Sequence, residues 1–298
     1  MKLRIFILLV VTLILNVSFI NAQDFPDKYL KYGKVYISTL NNSAFPSDER
    51  KEGITKDGKT YTYEENYSDN SVIVFIPNNY NNNEGIDIVF FFYGWLNSNY
   101  YSASTTDLIK QFIDSRRLAI LVFPAMAKFA PDSFDGNFEN KDVFKNYVWE
   151  LIDSLNRNSL INSHSLNNII LCGHSGGYRP IVSILRNGGM ENNIKEIFLL
   201  DALYGEVDII FNWIKDYNGK IVSVATQKSS PLKNNISLMK KLSSAGLNYI
   251  SSIEENYIFS DKEIKTNIFL ETNVDHGAVL EKNLNRYLKM SCLKDFNY

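Results

Sequence analysis

The run Ile86 to Tyr93, IDIVFFFY, is apolar at nearly every position instead of at every second one. A strand with one wet face alternates apolar and polar side chains, so a continuous run predicts a strand buried on both faces. Such burial needs helices on each side of a sheet, and the rest of the chain supplies the matching pattern. A helix is expected from Ser104 to Arg117, with Leu108, Phe112 and Ile113 at helical spacing, then an apolar strand from Leu118 to Phe123 ended by Pro124. Further helices are expected over Lys141 to Leu155, Arg179 to Leu185, Val207 to Tyr217, Ser237 to Ser244 and Val279 to Met290. Strands are expected over Asn168 to Cys172, Glu196 to Leu200, Ile221 to Thr226 and Ile268 to Thr272. Strands alternating with helices predict an α/β fold with a mostly parallel central sheet flanked by helices on both faces.

Upstream of this alternation, Val35 to Ile37, Tyr61 to Tyr63 and Ser71 to Pro77 are candidate strands among loops rich in Asn, Ser, Asp and Gly. No Pro/Ser-rich linker interrupts the pattern. One main domain over residues 71–298 is therefore expected, with residues 23–70 as strands and loops joined to it, in preference to two smaller domains. Residues 228–266 hold a helix and room for an extra strand around Tyr249 to Ser252, an insertion whose purpose the sequence does not reveal.

The N-terminus carries a different pattern. Lys2 and Arg4 precede the apolar run Ile5 to Val17, and the small residue Ala22 stands before Gln23 and Asp24. This predicts a secretory signal peptide over residues 1–22, cleaved near Ala22, with an uncleaved anchor as the alternative. No later segment is apolar and long enough to span a bilayer, so no stable membrane span is expected after cleavage. An exported protein is the expectation, with medium, periplasm and cell surface equally allowed.

The balance of 31 basic against 33 acidic side chains offers no footprint for nucleic acid or an anionic membrane. Cys172, at the end of an expected central strand, and Cys292, in the last expected helix, are read as two buried free thiols instead of a disulfide. Three scattered histidines lack H-x-x-x-H spacing, and C-x-x-C, G-x-G-x-x-G and the P-loop pattern are missing. Neither a metal nor a cofactor is expected.

The residues that carry chemistry are Gly173-His174-Ser175-Gly176-Gly177. They form G-x-S-x-G between an expected strand and an expected helix, the context in which the motif marks a serine nucleophile. A nucleophile must project from a very tight turn, where flanking side chains would collide with the neighbouring strand and helix. Gly173 and Gly177 remove those collisions, and Gly176 brings a backbone N–H close to the reacting oxygen.

A nucleophile elbow after a central strand, an acid after a later strand and a histidine after the last strand resemble the α/β-hydrolase superfamily over about residues 71–290. The resemblance implies a Ser-His-acid triad. His174 lies inside the elbow and is expected to point away from the reacting face, and His164 sits in a polar loop before the nucleophile strand. His276, in Asn273-Val274-Asp275-His276-Gly277, follows the last strand and takes the place of the base. The acid most often follows the strand after next beyond the elbow, but that strand ends Val224-Ala225-Thr226-Gln227-Lys228 without a carboxylate. The preceding strand ends Leu199-Leu200-Asp201, and some members place the acid there. Asp201 is therefore the expected acid, with a helix cap as its alternative role, and Asp275 and Glu271 are the other nearby carboxylates.

Two N–H donors would form the oxyanion hole. Gly176 supplies one, and Trp95, followed by Leu96, is the choice for the other in the loop Tyr93-Gly94-Trp95-Leu96-Asn97. The superfamily often has His-Gly where this chain has Tyr-Gly, a departure that bears on loop shape. Tyr93, Tyr204 and Asp132 are candidates to line a substrate pocket, and Arg179 could meet a substrate carboxylate or be a surface residue of the elbow helix. Only Leu203 to Asp208 separate the acid from the next helix, which leaves no room for a large cap domain. These expectations describe an exported serine hydrolase acting on a carboxylic ester, either a small molecule or a polymeric or surface-displayed substrate. A peptidase or amidase on peptide or cell-wall substrates, and a non-catalytic binding protein on the same fold, are the other readings.

Overall fold

In the computed structural model, residues 25, 27–227, 229–258, 266–281 and 283–296 are described. The signal peptide expected over residues 1–22 lies outside them. The N-terminal part contains α1 (Asp27–Leu30), β1 (Gly33–Thr39), a hairpin of β2 (Ile54–Lys56) and β3 (Lys59–Tyr61), and β4 (Ser71–Pro77). The alternation then begins with β5 (Ile86–Phe92), α2 (Asn99–Thr105), α3 (Leu108–Ser115), β6 (Ile120–Pro124) and α4 (Val143–Arg157). It continues through β7 (Leu166–His174), α5 (Tyr178–Asn187), β8 (Ile194–Leu200), α6 (Val207–Tyr217) and β9 (Lys220–Thr226). The chain closes with α7 (Ser230–Ser244), β10 (Tyr249–Ile253), β11 (Asn267–Thr272) and α8 (Leu284–Lys289).

Nine of these strands form one sheet in the order β1-β4-β6-β5-β7-β8-β9-β11-β10. β1 and β4, and β4 and β6, pair antiparallel; the neighbours from β6 to β10 are all parallel. Every residue of β5 is buried, as its continuous apolar run requires. Its one charged residue, Asp87, is buried too, and its carboxylate accepts hydrogen bonds from the Asn168 backbone (3.0 Å) and side chain (2.8 Å). The pairing β1 to β4 carries residues 33–39 into the same sheet as the main alternation.

Helices cover both faces. Phe90 of β5 meets Phe144 of α4 at 5.2 Å between ring centroids, and Phe138 joins Phe144 and Tyr147 at 5.6 and 5.4 Å. Elsewhere Phe75 of β4 meets Phe112 of α3 at 6.1 Å, and α3 packs on α8. Residues 201–206 join β8 to α6 directly, with no domain inserted there. Among the described residues, no helix is long and apolar enough to cross a membrane.

Three local expectations are corrected. The single helix expected over 104–117 is two, α2 and α3, broken where Thr106 is extended. The hydroxyls of Ser104 and Thr105 donate to carbonyls four residues back, a competition with the helix backbone that sequence periodicity does not register. The closing helix over 279–290 is a short 3-10 turn followed by α8, because Asn283 takes a left-handed conformation (φ 73°) between them. Cys292 therefore lies beyond the last helix and is exposed, while Cys172 is buried, and the two are unpaired. Within 228–266 the extra strand is present as β10, added parallel to β11 at the sheet edge; residues 259–265 lie outside the described residues.

Phe90 is fully buried among aromatic neighbours from α4, so truncation would leave a cavity that the surrounding rings cannot fill. Phe90→Ala is expected to lower unfolding stability by about 3–5 kcal/mol, read as a drop in the urea midpoint at unchanged m-value.

Candidate active site

The parallel strands all deliver their carboxyl ends to one side of the sheet, where open α/β sheets present functional groups. β7 ends at His174, and Ser175 opens the turn into α5 with a left-handed backbone (φ 54°). That conformation costs a residue with a Cβ about 1–2 kcal/mol. Three glycines let neighbouring backbone crowd around it. A methyl at Gly94 would lie 2.6 Å from Ser175 Cβ, one at Gly173 would lie 2.8 Å from the Gly177 carbonyl oxygen, and one at Gly177 would overlap the carbonyl oxygen of Phe92. The half-buried Ser175 side chain is thereby lifted clear of both strand and helix.

Asp201 follows β8, and its backbone N–H donates to Val224 O of β9 (2.8 Å). Its carboxylate, 1% exposed, accepts from Thr226 N (2.9 Å), Thr226 Oγ1 (3.0 Å) and His276 Nδ1 (2.6 Å), with Ser229 Oγ at 3.2 Å. Burial alone would raise its pKa. The bonds from His276 and Thr226 outweigh that and hold the carboxyl below its ordinary value. β9 thus ends not in a carboxylate but in the threonine that receives one from the adjacent strand.

His276 lies in the loop after β11, with its side chain 42% exposed. The loop is anchored from the inserted segment: Glu255 accepts from Thr272 Oγ1 (2.7 Å) and Asn273 N (2.9 Å). Its immediate neighbour Glu254 is buried and accepts from Asn283 Nδ2 (2.8 Å) and from the Tyr287 hydroxyl. The insertion that the sequence left without a purpose holds the loop of His276 and the start of α8.

His174 does not turn away from this centre. Its ring centroid lies 4.6 Å from that of His276, and its Nε2 lies 2.9 Å from the His276 carbonyl oxygen. An Nε2–H tautomer donates there and ties the loop of His276 to the end of β7. Tyr204, 40% exposed, sets its ring edge-on to His276 at 6.4 Å. Burial and the Asp201 charge raise the Tyr204 phenol pKa, and hydrogen bonding with Ser175 lowers it in part, so this phenol neighbours both groups.

On the other side of Ser175, Leu96 N–H donates to Ala130 O (3.0 Å) and is occupied. Trp95 N–H has no acceptor among the described residues and remains available beside the elbow. The exposed Trp95 indole lies over the turn: a methyl at Gly176 would sit 3.1 Å from Trp95 Cδ1. Trp95 Nε1 donates to Ser133 Oγ (2.5 Å), and Lys56 Nζ of the β2–β3 hairpin sits 3.7 Å from the indole centroid. Tyr93 is buried, its hydroxyl donating to Met126 O (2.8 Å) and accepting from Met126 N (2.6 Å). Asp132 accepts from Arg50 Nε (2.7 Å), Tyr67 OH (3.2 Å) and Phe134 N (2.9 Å). Both Tyr93 and Asp132 are consumed in building a wall.

The remaining candidates lie elsewhere. His164 precedes β7 at its far end and faces Asp153 at 3.4 Å. Arg179 pairs with Glu139 (3.3 Å) and with buried Asp135 (3.7 Å). Asp275 is exposed, and Glu271 sits within β11. No group of three or more His, Cys, Asp or Glu among the described residues could hold a metal ion. Thr226, Ser229, Glu255 and His174 were missed by sequence reasoning. Thr226 and Ser229 had a usable signal in their position after β9; the reach of Glu255 from an insertion had none.

Burial pushes the His174 pKa down to about 4, against the upward pull of its bond to the His276 carbonyl. An unfolded chain takes up a proton near the ordinary value of 6.5, so the unfolded state binds more protons between these values. The stability tied to neutral His174 is fully present above about pH 6.5 and is lost as pH falls toward about 4, by at most about 1.4 kcal/mol per unit. Urea midpoints across that range should decline, and His174→Asn, which keeps a donor but does not titrate, should flatten the decline. An equal decline in the variant would assign it to other groups.

No protein-family model matches the sequence, and no curated protein is similar to it. Solved structures do match. A feruloyl esterase module from Clostridium thermocellum, an S954A mutant in complex with sinapinate, aligns with a TM-score of 0.52 at 12% identity, over 89% of each chain. Mycobacterium tuberculosis MPT51 aligns with a TM-score of 0.50 at 8% identity, over 74% of this chain and 91% of its own. The fold of this chain is that of the α/β-hydrolases.

Proposed function

We propose that this chain is an exported serine hydrolase that cleaves carboxylic esters through an acyl-enzyme, with residues 1–22 as the leader and residues 71–298 as the catalytic part. The observation that carries the reading is the 2.6 Å bond from His276 Nδ1 to buried Asp201, with the His276 ring 4.6 Å from that of His174, the residue before the strained, glycine-crowded Ser175. A carboxylate kept ionised fixes the imidazole tautomer, leaving Nε2 free to accept a proton, and stabilises the imidazolium that forms. The ester is favoured by the open rim and by the esterase activity named for a protein of this fold.

In the first half-reaction Ser175 Oγ bonds to the ester carbonyl carbon while its proton passes to His276 Nε2. The carbonyl electron pair moves onto oxygen, where the N–H groups of Gly176 and Trp95 receive it. As the pair returns, the bond to the alkoxide breaks, and His276 gives its proton to that oxygen, releasing the alcohol. A water molecule then repeats the sequence: its proton goes to His276, its oxygen bonds to the carbonyl carbon, and Ser175 Oγ leaves with the proton back. Positioning falls to His174 and Glu255, which hold the base loop from two sides.

Hydrolysis of p-nitrophenyl acetate should fall roughly 10⁴- to 10⁶-fold in Ser175→Ala with folding retained. One equivalent of p-nitrophenolate should be released from diethyl p-nitrophenyl phosphate by the wild type and none by that variant. Peptide cleavage without ester turnover would mark an amidase, and no turnover with no phosphorylation would mark a binding protein. Asp201→Asn should cost roughly 10³- to 10⁴-fold, since an amide can hold the wrong tautomer. Retained activity there would place the acid at another residue.

A further inference from the structure

We infer that the Tyr204 hydroxyl is a further catalytic group, donating a hydrogen bond to the alcohol oxygen as it leaves. The inference rests on the serine-hydrolase reading above, which gives this side chain no task. Tyr204 lies in the short connection from β8 to α6 that begins with Asp201. That connection is fastened on both sides of it. Leu203 O accepts from Asn234 Nδ2 of α7 (2.8 Å), and the Glu206 carboxylate accepts from Arg186 Nη2 of α5 (2.9 Å). The Tyr204 N–H itself donates to Ala202 O (2.9 Å).

The ring neighbours two others, with centroids 6.4 Å from His276 and 6.0 Å from Tyr178 at the start of α5. Its hydroxyl shares a hydrogen bond with Ser175, so one side chain touches both the nucleophile and the imidazole. Packing alone would need only a ring, and phenylalanine supplies one. Partial burial and the Asp201 charge hold the phenol above its ordinary pKa, so the group is a neutral donor and not a base.

Two oxygens gain negative charge during acylation. The carbonyl oxygen is met by the N–H groups of Gly176 and Trp95, which adjoin each other at the elbow. The alcohol oxygen must face His276, which protonates it, and Tyr204 borders His276. In the resting site the phenol is paired with Ser175 Oγ. Once that oxygen bonds to carbon it becomes an ester oxygen, a far weaker acceptor, and the phenol O–H turns to the leaving oxygen. The proton that completes the alcohol still comes from His276; Tyr204 keeps its own and stabilises the charge as it develops. In the second half-reaction the leaving oxygen is Ser175 Oγ itself, and the original pairing is restored.

Tyr204→Phe removes the hydroxyl and keeps the ring. The test follows kcat/KM for p-nitrophenyl, phenyl and ethyl acetate, per site titrated with diethyl p-nitrophenyl phosphate. This constant reports acylation, and with the acyl group fixed only the leaving oxygen changes. p-Nitrophenolate departs with little help, and ethoxide needs the most. A hydrogen bond to a charged oxygen is worth roughly 10- to 100-fold. Tyr204→Phe should therefore lose about 10- to 100-fold on ethyl acetate and less than about 3-fold on p-nitrophenyl acetate, with phenyl acetate between. A loss of equal size on all three esters, as from a structural role or a donor to the carbonyl oxygen, would overturn the inference and leave the hydrolase reading intact. So would no loss on any of them. A wild type that neither titrates nor turns over any of the three would remove both together. Tyr204→Leu also lacks the hydroxyl and decides the same comparison if Tyr204→Phe does not fold.

Discussion

The site depends on how closely β5, β7 and the start of α5 approach one another. Ser175 is held in a left-handed conformation only because Gly94, Gly173 and Gly177 present no side chains to the turn. Each glycine faces backbone or the Ser175 Cβ at a distance that a methyl group would violate. The strain at Ser175, on the order of 1–2 kcal/mol, is small beside the apolar burial of β5 and β7 that fixes the two strands. Core and chemistry are therefore one problem here: the run that buries both faces of the sheet also sets the position of the turn that exposes the hydroxyl.

Asp201 and His276 are held by a second arrangement, spread over three strands. Asp201 leaves β8 but takes its partners from the end of β9, and Ser229, which lies beside it, also caps α7 by accepting from Leu232 N. A buried carboxylate with this many donors stays ionised despite its burial. The imidazole completes the set from β11. His174 adds a contact that joins the arrangement to the elbow, since one ring sits at the end of β7 and the other on the loop after β11. The residue between the first glycine and the serine is thus part of the scaffold for His276.

Much of this was legible in the sequence, because local patterns dictated it. Continuous apolar runs mark strands buried on both faces, and G-x-S-x-G between strand and helix marks the turn. The scarcity of histidine narrowed the candidate base to His276, and Asp201 stood out as a carboxylate placed directly after apolar residues; the structure pairs the two. What escaped was non-local or competitive. The break at Thr106 comes from hydroxyls bonding back to the helix, a contest that periodicity cannot weigh. The orientation of His174 depends on a loop 102 residues further along the chain. The link from Glu255 to Thr272 arises from an insertion whose own sequence carries no motif.

The placement of β10 has a further meaning. It is one of the two edge strands, bonded on one side only, and the turn that follows it grips the loop of His276 through Glu255. Edges of a sheet fray at lower free energy than its centre. Opening this margin would free the imidazole while hydroxyl and carboxylate stayed seated on inner strands. Warming would then part the imidazole from its carboxylate reversibly, at temperatures where calorimetry and circular dichroism still register an intact molecule.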